Sequence, residues 1–114
     1  MALTRKNRIV GRLDIKKALS SRRIFTGSYF SLKVLRRGNG LSRFMVVIPT
    51  RLVPLASSRN ALRRIISETL QGMAVKIQPG YDGVVQVRVK TLPSKTELLN
   101  DILTLLKKSG MLKQ

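Results

Sequence analysis

Two periods of apolar residues alternate along this chain. Leu13, Ile15, Ala18 and Leu19 recur at helical spacing among Arg12, Lys16 and Lys17, which predicts a short helix over 12–21 with a basic back. Between 29 and 37, Phe30, Leu32 and Val34 alternate with Tyr29, Ser31 and Lys33, the pattern of a half-buried strand. Gly38-Asn39-Gly40 is a turn signal, and RFMVVIP at 43–49 is a more buried strand ended by Pro49. The two strands are predicted to pair as a hairpin.

Pro54 then breaks the chain, and Ser57 or Ser58 is placed to cap a helix of roughly 59–72. On that helix Leu62, Ile65, Ile66, Thr69, Leu70 and Met73 fall on one side and are predicted to face the core. PGYDG at 79–83 leads into a third strand, 83–90, with Val85, Val87 and Val89 opposite Gln86, Arg88 and Lys90. Ser94 and Glu97 have capping-box spacing before a leucine-rich helix. Lys107 and Lys108 complement its C-terminal dipole, and Gly110 lies just beyond. Residues 1–11 are basic and aperiodic and read as a flexible arm, and 12–114 as a single domain. The order helix–strands–helix–strand–helix predicts an α+β fold, with Lys33, Arg88 and Lys90 on an open, basic sheet face.

Length and composition narrow this further. A chain of 114 residues that is 43% apolar can bury one core but not two. There is no cysteine, so neither a disulfide framework nor a thiolate metal site is possible. No apolar run approaches a bilayer span, and the basic N-terminus lacks the apolar core of a secretory signal. The expectation is a soluble, cytoplasmic protein without a membrane partner.

Charge changes the picture most. The net charge is +18, and it is uneven. Residues 1–67 hold sixteen basic residues and one acid, Asp14, whereas 68–114 hold seven basic residues and four acids. Such an excess repels itself and calls for a polyanionic partner. The first part of the chain therefore carries most of the predicted binding surface. With no histidine and five carboxylates far apart in sequence, the chain offers no ordinary general base, imidazole ligand or short-spaced acid pair. No catalytic residue and no side-chain-bound cofactor is predicted; chemistry is assigned to the partner.

The charge concentrates in RNALRR. Arg59, Asn60, Arg63 and Arg64 share one arc of the middle helix with Ser67, and like charges stack at i,i+4 with no acid between them until Glu68. A solvated face usually interleaves acids with its bases; guanidinium groups instead suit phosphate, and Asn suits phosphate, sugar or base edges. Aromatics are sparse, and among them only Tyr29 has an outward strand position, so phosphate contact outranks base stacking. Periodicity alone leaves open which nucleic acid is bound. A helix-based DNA binder is disfavoured because no second helix directly precedes the basic one.

The run from Arg59 to Glu68, R-N-x-L-R-R-x-x-x-E, resembles the signature helix of the bacterial ribonuclease P protein subunit, usually R-N-x-x-K/R-R-x-x-R-E. The likeness extends in order over nearly the whole chain. It takes in the basic opening and the helix containing Asp14, the strand from Arg43 to Pro49 followed by Thr50-Arg51, PGYD at 79–82 before a valine-rich strand, and the last helix ending LLKKSG. The resemblance implies a left-handed βαβ crossover around the RN helix, of the ribosomal protein S5 domain 2 type. It also implies a catalytic RNA as partner, one that cleaves precursor tRNA at its 5′ end with its own Mg2+. By the motif match Arg51, Arg59, Asn60, Arg63 and Arg64 contact that RNA. A groove holding the 5′ leader takes Ile15, Lys16, Leu19, Lys33, Arg88 and Lys90. The sequence departs from the family pattern where Ala61 and Ser67 replace basic residues, where Ile15 and Leu19 replace aromatics, and where Lys33 replaces a frequent Tyr. These departures shift leader contact toward phosphate. A structural RNA-binding protein of ribosomal type is the alternative.

Overall fold

The computed structural model describes residues 5–91 and 93–113. Its elements in chain order are α1 (Arg12–Leu19), β1 (Ile24–Thr26), β2 (Phe30–Arg36), β3 (Arg43–Val47), α2 (Ala56–Gly72), β4 (Tyr81–Val87) and α3 (Lys95–Ser109). Single 3-10 turns lie at Arg5–Asn7 and Ala74–Lys76. This is a small α+β domain of three helices on one four-stranded mixed sheet, ordered β1-β2-β4-β3.

The alternation in β2 divides the sheet into two faces. Phe30, Leu32 and Val34 stand opposite Val87, Val85 and Gly83 of β4. They form the main core with Leu62, Ile66 and Leu70 of α2 and with Leu98, Ile102, Leu105 and Leu106 of α3. Each such side chain contributes about 1.5–3 kcal/mol when fully buried. The other face is smaller: Ile9, Ala18 and Val84 are buried there, with Ile15, Met45 and Val47 packed around them, so α1 covers part of it.

The predicted hairpin does not form. β4 lies between β2 and β3, antiparallel to the first and parallel to the second, so β3–α2–β4 is the crossover unit. The turn signal is real, since Gly38 and Gly40 have φ of 101° and 77°, but the loop it opens straddles a strand. The N–H groups of Arg37 and Gly38 donate to the Gly80 carbonyl, and Gly80 N–H donates to Gly40. Six residues easily span the roughly 10 Å between alternate strands. A Cβ on Gly80 would lie 3.4 Å from the Gly38 backbone, and Gly80 has φ of 94°, which is why the PGYD turn carries glycine there.

Other boundaries shift for local reasons. β3 ends at Val47 rather than 49, β4 runs 81–87 rather than 83–90, and the short β1 went unread. α2 starts at Ala56, so Ser57 and Ser58 lie within the helix instead of capping it; its N-cap is Leu55, with no side-chain bond. Pro54 keeps Val53 out of helical conformation and lets the helix start directly after the cap. α3 follows expectation, with Ser94 Oγ accepting from Glu97 N–H at 3.4 Å and Gly110 closing the helix at φ 80°. Of the arm expected over 1–11, residues 1–4 lie outside the described residues. Arg8 bridges Phe44, and Ile9, only 3% exposed, donates its N–H to the Phe44 carbonyl at 3.0 Å.

Candidate nucleic-acid interface

The acids mostly serve the scaffold. Asp82, 1% exposed, accepts from Arg37 Nε at 2.8 Å and from Arg43 Nε and Nη2 at 2.9 and 2.7 Å. Arg43 Nη2 also reaches Asp14 at 3.2 Å, tying α1 to the sheet. Donating hydrogen bonds to Asp82 holds the Arg43 guanidinium pKa above the ordinary arginine value. Asp101 accepts from the N–H groups of Ser28, Tyr29 and Phe30. Glu97 accepts from the Tyr29 hydroxyl at 2.9 Å, which pushes the phenol pKa up. Tyr29, expected on the solvent face of a strand, is instead half-buried ahead of β2. None of these ion pairs includes an arginine of α2.

On α2 the buried positions are Leu62, Ile66, Ser67 and Leu70, and Met73 follows as its C-cap. Ile65, expected in the core, is 37% exposed, while Ser67, expected on the charged arc, is 6% exposed. α2 lies against the edge strand β3, with Ser67 on the side that meets it and Ile65 turned to solvent. Asn60, Arg63 and Arg64 are exposed, and Arg63 donates weakly to Asn60 Oδ1 at 3.4 Å. Together with Ser67 they line a cleft of about 390 Å³ whose other wall is Arg8, Ile9 and the β3 edge from Phe44 to Val46. Arg8, outside the residues that the helical spacing points to, completes the cleft. Its signal is the apolar Ile9 beside it, which packs on the sheet.

Arg59 differs from its neighbours. It is half-buried, and its Nη1 donates to the carbonyls of Val53 at 3.0 Å and Pro54 at 2.7 Å. Arg51 is exposed on the loop that these bonds hold.

The second expected group is brought together only in part. Ile15 packs on the smaller core, Lys16 is exposed, and Lys33 Nζ donates to the Leu19 carbonyl at 3.0 Å. Lys33 thus ties the end of α1 to β2, with Ile15 packed beneath the helix and Lys16 exposed on it. Arg88 and Lys90 lie beyond the end of β4 at Val87. Arg88 is about 13 Å along the strand from Val84, the partner of Lys33. Its N–H donates to Tyr29 and its guanidinium to the Gly27 carbonyl at 2.7 Å. Among the described residues, no group of three His, Cys, Asp or Glu is placed to hold a metal ion, and no helix is long and apolar enough to cross a membrane.

Fold and surface define a small, strongly cationic α+β protein whose arginines gather around a helix and an edge strand. Residues 3–110 match the family model Ribonuclease P, so the chain belongs to the ribonuclease P protein family. It is a protein component of ribonuclease P, a tRNA-processing ribonuclease. It is 29% identical over 112 residues to the ribonuclease P protein component of Pseudanabaena sp. (strain PCC 6903), covering 96% of this chain and 97% of that one. The fold matches the ribonuclease P protein from Thermotoga maritima, with a TM-score of 0.78, 24% identity and coverage of 90% and 96% of the two chains. It also matches the Staphylococcus aureus ribonuclease P protein at a TM-score of 0.79, 18% identity and coverage of 93% and 97%.

Proposed function

We propose that this protein binds the catalytic RNA of ribonuclease P through α2 and holds the 5′ leader of precursor tRNA in the groove between α1 and β2. The observation that carries the reading is the exposed trio Asn60, Arg63 and Arg64, a cationic surface outside the scaffold's ion pairs. Guanidinium groups so placed neutralise phosphates and release counterions. The same reading assigns hydrolysis to the RNA with its own Mg2+, since the acids near the sheet are engaged by arginines and backbone N–H groups. Lys16 and Lys33 are the leader's phosphate contacts in this scheme, and Ile15 and Leu19 its apolar border.

Reconstitution with the cognate ribonuclease P RNA tests this at low magnesium. The protein accelerates precursor-tRNA cleavage and tightens precursor binding, and a variant carrying both Arg63→Ala and Arg64→Ala loses RNA affinity and flattens its salt dependence by about two ions. No gain in cleavage or affinity on adding the intact protein overturns the proposal. Cleavage by protein alone overturns the division of labour.

A further inference from the structure

The cleft between α2 and β3 is more than a charged surface. β3 is an edge strand whose Phe44 carbonyl points outward to Ile9 N–H. Strand alternation gives Val46, two residues on, the same outward orientation. Its N–H and carbonyl therefore point away from β4, on the side where Val46 lines the cleft. A donor and an acceptor side by side thus face the cleft that Asn60, Arg63, Arg64 and Arg8 border. The cleft's 390 Å³ is within the range of small-ligand sites.

Ser67 is what keeps this space open. It lines the cleft at 6% exposure, where a longer basic side chain would have to project into it. Its small size therefore exchanges a protein cation for a cleft with apolar walls and an outward-facing strand peptide at its edge.

We infer that the cleft takes one unstacked nucleotide of the partner RNA. The Val46 peptide pairs with the edge of the base, and Arg8, Arg63 and Arg64 hold the flanking phosphates. This rests on the proposed binding of the catalytic RNA by α2 and specifies its form. Single-stranded RNA is recognised by splaying out bases and hydrogen-bonding their edges, and an outward-facing peptide supplies the donor–acceptor pair that base edges match. Phosphate contact alone would use the arginines and leave the cavity and the strand edge without a role.

Ser67→Arg separates the two, because it adds a charge while filling the cavity. Binding of the cognate ribonuclease P RNA is measured against salt for both proteins, with thermal melting to verify that the variant folds. The inference predicts an affinity loss of about tenfold, on the order of one base contact. Tighter binding with a steeper salt slope overturns the inference and leaves the RNA reading standing; no RNA binding by the unaltered protein overturns the RNA reading itself. Should the variant not fold, titration of the unaltered protein decides. Adenosine or uridine monophosphate is predicted to shift the backbone amide resonances of Val46 and Ser67, and inorganic phosphate is not. Equal shifts with phosphate overturn the inference.

Discussion

Arg59 Nη1 donates to the Val53 and Pro54 carbonyls at 3.0 and 2.7 Å, so the first arginine of the RN motif is spent on its own loop. We predict that Arg59→Ala loosens the segment carrying Arg51. Tryptic cleavage after Arg51 speeds up, while the salt slope of RNA binding falls less than it does for Arg63→Ala. Arg59→Lys, whose ammonium can reach the same carbonyls, restores protease resistance. Equal salt-slope losses for Arg59→Ala and Arg63→Ala, with unchanged proteolysis, would show that Arg59 meets phosphate instead.

Lys33 has two roles to separate. Its ammonium closes the C-terminal end of α1 at the Leu19 carbonyl, and in the proposed scheme it also meets leader phosphate. Lys33→Ala is predicted to weaken precursor binding and to flatten its salt dependence by about one ion. Lys33→Gln keeps a donor for Leu19 without the charge, so it retains the α1 contact but shows the same flattening. An unchanged slope in both removes Lys33 from the groove.

Asp82 neutralises two arginines at the junction of α1, β2, β3 and β4. Removing one partner of a buried pair leaves charge uncompensated, so Asp82→Ala is predicted to cost about 3 kcal/mol in urea unfolding. The partial exposure of Arg37 and Arg43, at 24% and 15%, keeps the loss at the lower end of such values.

Gly27 and Asp101 form a tighter couple. A Cβ on Gly27 would stand 2.6 Å from Asp101 Oδ1, displacing the carboxylate from the three N–H groups it accepts. Gly27→Ala and Asp101→Asn are each predicted to destabilise by about 2 kcal/mol, and the double variant by less than the sum. Additive losses would mean that the glycine is needed for some other reason.

What was legible in the sequence was local. The alternation of Phe30, Leu32 and Val34, the stripe of α3 and its capping box carry their own geometry, and the motif match supplied the family. The strand order was not legible, because Gly38-Asn39-Gly40 signals a turn whether the chain folds back or steps over a neighbour. At the candidate interface, Asn60, Arg63 and Arg64 lie together on the exposed face of α2 as the helical spacing placed them. Ser67 is buried and Ile65 exposed because α2 packs beside the edge strand β3, a neighbour that periodicity does not encode. Arg88 and Lys90 lie past the end of β4 at Val87, a boundary that the alternation through 83–90 does not mark.

The position of β4 also sets an order of events. It is the last strand along the chain, yet it is the shared partner of β2 and β3. On the ribosome those two strands emerge first, each with an unpaired edge, and wait through all of α2 for the strand that joins them. A nascent chain ending at residue 80 therefore has its basic helix and the β1–β2 pair, but not the strand that joins them to β3. The proposed binding surface is complete only when the last third of the chain has been made.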